Sequence, residues 1–172
     1  MQRKTLLLTV SVVVSVAVVS LSLFVFSIYP FYIYRPHFSL ENKVESFVVH
    51  YEKGTNVTVN LQSTEGKELL SGCEAYMSNI FGTLLWMENY EGLTRIRNST
   101  EHVEIILKEV SNFKFYVRAS AVETTLSANR IFLFSSGSVL FTEIENEEIL
   151  WFGGYGVDNG VAEFRNVVAT FS

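Results

Sequence analysis

The stretch from Leu6 to Tyr29, LLLTVSVVVSVAVVSLSLFVFSIY, constrains this chain more than any other, because no charged residue stands between Lys4 and Arg35. As an α-helix at ~1.5 Å per residue it reaches roughly 36 Å, enough to cross a hydrocarbon core of ~30 Å with some tilt. Lipid offers backbone amides no hydrogen-bond partners, so a lone spanning segment has to be helical. The expectation is a single membrane-spanning helix over 5–29, held in the lipid bilayer by Leu6 to Tyr29. A basic flank, Met1 to Lys4, precedes it. Positive charge stays on the cytoplasmic face, which sets the N-terminus inside and the remainder outside. A cleaved signal peptide is the competing reading, with Ser20-Leu21-Ser22 as its small-x-small site. The apolar run, however, is far longer than the ~7–15 residues of a signal core. A pilin-like leader lacks support, because Thr5 stands at the cut and no acid occurs before Glu41.

Tyr29, Phe31, Tyr32 and Tyr34 then form an aromatic group of the kind that favours a membrane–water interface. Pro30 and Pro36 end the helix and open a connector over 30–43. The remaining residues, 44–172, are enough for one domain with its own core. The chain carries a net charge of −5, and its first two charges, Arg3 and Lys4, are basic, so the outer part is more acidic than the whole. That balance argues against a nucleic-acid surface, which needs clustered Lys and Arg. Cys73 is the only cysteine, so the domain is held by apolar packing with no internal disulfide. Its expected place is the core, the alternative being a crosslink between two chains.

From Val44 the pattern changes from continuous apolar to alternating. Val57, Val59 and Leu61 fall on one face of 56–62. Phe113, Phe115 and Val117 oppose Lys114, Tyr116 and Arg118. Period-two alternation marks strands with one buried face. Further strands are expected at Val44–Tyr51, Gly82–Glu88, Leu93–Arg97, His102–Glu109, Arg130–Phe134, Val139–Ile144, Leu150–Tyr155 and Val161–Phe171. Gly54, Gly92, Gly137 and Asp158-Asn159-Gly160 supply the turns. Glu65–Asn79 alone leans towards helix, against the cost of Gly72. Many short strands with glycine turns predict an all-β fold, an antiparallel two-sheet sandwich of jelly-roll type.

The last ~45 residues are similar to the closing part of concanavalin A-like, laminin G-like jelly-roll domains. The matching pieces are Arg130–Phe134, Gly137, Val139–Thr142, Glu145–Glu148, Gly153-Gly154-Tyr155-Gly156-Val157, Asn159-Gly160 and Ala162-Glu163-Phe164-Arg165-Asn166-Val167. The resemblance implies a two-sheet sandwich, a fold much used for glycan recognition, whose closing strand carries Phe164 inward beside Ala162. The apolar set changes parity after Asn166, through Val167, Val168, Ala169 and Phe171, so an irregularity is expected there.

Candidate chemistry is sparse. Glu143-Ile144-Glu145-Asn146-Glu147 looks like the Glu-Ile-Asp-x-Glu strand of β-glucanases that share the jelly roll, with carboxylates roughly 6–7 Å apart along one strand face. Glu145 replaces the central Asp, and the stretch reads better as a charged turn. Trp86, Trp151, Phe152 and Tyr155 are aromatic faces suited to stacking on sugar rings, with Asp158 and Asn159 beside them as polar contacts. His37, His50 and His102 lie far apart and show no metal-ligand spacing, and Asp158 is the only Asp, so neither a metal nor another cofactor is expected. Asn56-Val57-Thr58 and Asn98-Ser99-Thr100 are N-glycosylation sequons. The functional expectation is a membrane-anchored binding module for a glycan or a surface protein. The alternatives are a structural envelope component and, behind it, a polysaccharide-active enzyme.

Overall fold

The computed structural model describes residues 13–24, 38–51, 54–84, 95, 98, 100–117, 119–120, 122–145 and 148–169. The chain divides into two compact units, Met1–Tyr34 and Arg35–Ser172. In the first, residues 13–24 form helix α1, whose apolar side chains are all exposed. Ser22 returns its hydroxyl to the Val18 carbonyl at 2.8 Å, as an apolar helix requires of a polar side chain. Among the described residues no helix is long and apolar enough to cross a membrane. The ends of the 6–29 run and the aromatic group at 29–34 lie outside them.

The second unit is mostly β. Its strands are β1 (Val44–His50), β2 (Asn56–Val59), β3 (Ile80–Leu84), β4 (His102–Val117), β5 (Val122–Phe134), β6 (Ser138–Glu145) and β7 (Glu148–Val157). With them come the helices α2 (Thr64–Ser78) and α3 (Gly160–Val168). The strands form one antiparallel sheet in the order β2-β1-β4-β5-β6-β7-β3. The expectation of two separately bonded sheets is corrected here: a single sheet folds over on itself.

The fold-over follows from the register. Phe115 of β4 pairs with Thr124 of β5, whereas Phe141 of β6 pairs with Ile131 of β5. Thr124 and Ile131 are seven residues apart, roughly 23 Å along a flat strand at ~3.3 Å per residue. Yet the Phe115 and Phe141 ring centroids are 5.7 Å apart, and Phe115 meets Tyr155 of β7 edge-on at 5.1 Å. The outer half of the β4–β5 hairpin therefore turns back over β6 and β7. The bend sits at the register break between Ile106 and Ser111, where Lys108, Glu109 and Val110 are exposed. Extra residues on one strand are the usual means of bending a sheet. Phe38 fills the fold, with its ring 5.3 Å from Phe115 and 6.1 Å from Phe141.

Helix α2 forms where the sequence pattern placed it. Ser63 caps it, its hydroxyl accepting from the Gly66 N–H at 3.0 Å. Leu69, Cys73, Tyr76 and Met77 recur at helical spacing and all are fully buried. Cys73 is thus a core residue, and burial pushes its thiol pKa far up. Gly72, which weakens the helix in isolation, faces α3, where a Cβ would meet the Val167 Cα at 3.4 Å, an ordinary contact. Beside it the Tyr76 and Phe164 rings meet edge-on at 6.2 Å.

The stretch expected as a closing strand, Val161–Phe171, is helical over Gly160–Val168. Phe164 is buried at 1% exposure, as expected, but Ala162 is exposed and no bulge is needed near Asn166. Gly160, Phe164 and Val167 are the buried positions, with Val168 partly so, which is a helical interval. The parity change that a strand could not accommodate is the mark of that helix. Its entry is tight: a Cβ on Gly160 would lie 2.4 Å from the Gly137 Cα, so only glycine permits the β5–β6 turn to touch the start of α3. Of the remaining strands, the expected Leu93–Arg97 lies largely outside the described residues, and Arg95 within it is helical. The separate strands at 102–109 and 113–117 are one long β4.

Candidate functional site

The central strands are buried on both faces. Ile131 and Leu133 face the main core, whereas Phe132 and Phe134, equally buried, face the other way with Leu140. The unbroken apolar run Ile131–Phe134 has this cause. The second buried face also carries polar groups. Across it the register aligns Asn56, His50, His102, Phe134 and Ser138 in one row, with Val48, Glu104, Phe132 and Leu140 in the next. Residues directly opposite in antiparallel strands share a face, and His102 and Glu104 share theirs by the two-residue period.

His50 and His102 are therefore neighbours. Their rings stack with centroids 4.1 Å apart and 12° between planes. His50 Nε2 lies 3.4 Å from Glu104 Oε2, and Arg130 Nε lies 3.6 Å from Glu104 Oε1. The Glu104 side chain is 3% exposed, those of His50 and Arg130 15% and 31%. A carboxylate buried to this degree needs such partners, since an isolated buried charge is very costly. His102 Nδ1 is 2.7 Å from the Thr100 carbonyl oxygen, an acceptor only, so Nδ1 carries the proton. Two imidazoles and one carboxylate each present a donor atom here, all within 4.8 Å of one another. His50 and His102, far apart in sequence, are brought together by the β1–β4 register.

The residues expected to contact a ligand are dispersed. Tyr155 is 4% exposed, its ring edge-on to Phe115 and Phe141, and burial raises its phenol pKa. It is a core residue and has no free face for a sugar. Trp86 lies outside the described residues. Trp151 stands on β7 opposite Glu143, and its side chain lies outside them, as does that of Phe152. Asp158 and Asn159 are exposed between β7 and α3. The Asp158 N–H donates to the Asn79 carbonyl at 2.9 Å, and Asn159, at φ 52°, starts α3. Asn159 lines a cleft of about 370 Å³ with Ser136, Gly137 and Arg165.

Glu143 is half-buried and Glu145 exposed. Glu145 pairs with Glu148 at the end of the β6–β7 ladder, and residues 146–147 lie outside the described residues. Asn56, at the start of the edge strand β2, and Asn98 are both exposed. His37 lies outside the described residues. No protein-family model, curated protein or solved structure matches this chain.

Proposed function

We propose that this protein is a membrane-anchored display module, held by the 6–29 segment with its β domain outside the cell, and that the domain binds a surface protein. The uncharged run from Leu6 to Tyr29 and the basic Arg3 and Lys4 before it support the anchor and its orientation. The separate core of Arg35–Ser172 supports a domain that folds on its own.

The observation that carries the protein-partner reading is the apolar exposure along edge strand β3. Phe81 is 45% exposed and Leu84 40%, on a strand that ends the sheet. The Ala119 N–H donates to the Phe81 carbonyl at 2.7 Å, which brings the end of the β4–β5 hairpin, with Val122 at 54% exposure, to the same edge. Exposed apolar side chains on the last strand of a sheet suit a partner that packs against them. The buried Tyr155 leaves the glycan reading without its best stacking ring.

The test places a photo-crosslinking residue at Phe81 or Leu84 of the full chain in intact cells, with Glu68 on the exposed side of α2 as control. Discrete protein adducts at 81 and 84 but not at 68 are expected. Equal labelling at all three positions would remove the β3 edge as the binding surface.

A further inference from the structure

Three features set His50, His102 and Glu104 apart from an ordinary buried ion pair. The first is the tautomer. Donation from His102 Nδ1 to the Thr100 carbonyl leaves the lone pair on Nε2, and a backbone carbonyl bonded to the far nitrogen is the arrangement that orients a metal-ligating histidine. The second is His50. Its Nε2 is buried without a hydrogen-bond partner although a carboxylate oxygen lies 3.4 Å away. A nitrogen and an oxygen close together but not aligned for a hydrogen bond suit two lone pairs directed at a common centre. The third is the division of the carboxylate. Arg130 Nε lies 3.6 Å from Oε1 and His50 Nε2 lies 3.4 Å from Oε2, so the guanidinium and the imidazole approach different oxygens of the carboxylate.

We infer that His50 Nε2, His102 Nε2 and Glu104 Oε2 form a binding site for a divalent transition-metal ion of the zinc class. Imidazole and carboxylate donors suit Zn²⁺ over Mg²⁺ or Ca²⁺, which take oxygen ligands. Three protein ligands leave a fourth position for water or an incoming donor. Bonds of ~2.0–2.2 Å set tetrahedral ligand separations at roughly 3.3–3.6 Å. One donor atom of each residue already lies within 4.8 Å of the others, a gap that side-chain rotations close, and His50, on the β1 side and partly exposed, has the freedom to make them. Metal entry is from the β2 edge, where exposed Asn56 pairs with His50. The ion would tie β1 to β4, stabilising the joint of the sheet opposite the β3 edge.

The test uses the full chain in detergent, purified without a polyhistidine tag and stripped with EDTA. Zn²⁺ is titrated against a chromophoric chelator, and the melting temperature is followed with and without Zn²⁺. The expected result is one Zn²⁺ per chain with a rise in melting temperature. His50→Gln and Glu104→Gln each weaken binding by ~10-fold or more and abolish the rise. Absence of binding to the folded wild-type protein, or equal binding by the wild type and both variants, overturns the site. Should either variant fail to fold, Co²⁺ added to the wild type decides. Intense visible d–d bands of a four-coordinate ion support the site, and the weak spectrum of hydrated Co²⁺ refutes it.

Discussion

If the sheet folds over at the Ile106–Ser111 register break, Phe115 and Phe141 are energetically coupled, although in an unfolded-out sheet they would stand roughly 23 Å apart along β5. The perturbation is Phe115→Leu, Phe141→Leu and the double variant in the fragment 35–172. Both rings are buried, at 3% and 0% exposure, and their centroids are 5.7 Å apart. Leucine keeps an apolar side chain at each site and removes the ring contact, so the cycle isolates the pair with less risk of unfolding than alanine. Aromatic pairs contribute ~0.5–1.5 kcal/mol beyond their burial, and that is the coupling expected here. Sites more than ~7–10 Å apart with no shared partner add to within ~0.3–0.5 kcal/mol. Urea denaturation of the four proteins at equal m-value gives the coupling directly. A coupling below ~0.3 kcal/mol would refute the folded-over hairpin.

Three further outcomes follow from the same packing. Phe164→Ala should cost ~3–5 kcal/mol in urea, whereas Asn166→Ala, on the exposed face of α3, should stay within ~0.5 kcal/mol; a helix-breaking Asn166→Pro should cost ~3 kcal/mol or more. Tyr76→Phe removes the hydrogen bond to the Phe134 carbonyl at 2.9 Å and should cost ~0.5–1.5 kcal/mol. Burial raises the Tyr76 pKa above the ~10 of an unfolded tyrosine, so its contribution is fully present below pH ~10 and is lost as pH rises beyond it. The Phe variant should therefore show a shallower alkaline loss of stability, and an unchanged alkaline slope would contradict this. Fragment 35–172 should unfold cooperatively with a mainly β circular-dichroism spectrum, and a mainly helical spectrum would contradict the fold.

The alternating stretches were legible because each strand's pattern reports its own two faces. Val44–His50, Ser138–Glu145 and Glu148–Val157 lie where alternation and glycine turns put them, and α2 lies where Glu68, Leu69, Leu70, Ala75 and Met77 lean towards helix. Helix α3 was misread because Asn159-Gly160 is a hairpin signal and Val161, Val167 and Val168 favour strand. The interval from Phe164 to Val167 and Val168 was the better guide, since those positions share a face only in a helix. The folded-over sheet left no local trace beyond the polar break at Lys108-Glu109, between the two alternating halves of β4. The histidine pair depends on the register between β1 and β4, which spacing along the chain does not reveal. Only its local half, His102 and Glu104 on one face of a strand, was visible.

The central claim, an anchored domain displayed outside the cell, rests on the side of the membrane that holds the C-terminus. The decisive measurement is protease treatment of intact cells expressing the full chain with a C-terminal tag, after carbonate extraction has shown the chain to be membrane-integrated. The account predicts that the tag is removed while the membrane is sealed, the outcome that the basic Arg3 and Lys4 before the apolar run call for under the positive-inside rule. A tag that survives until the membrane is permeabilised, or a chain released by carbonate, would contradict it.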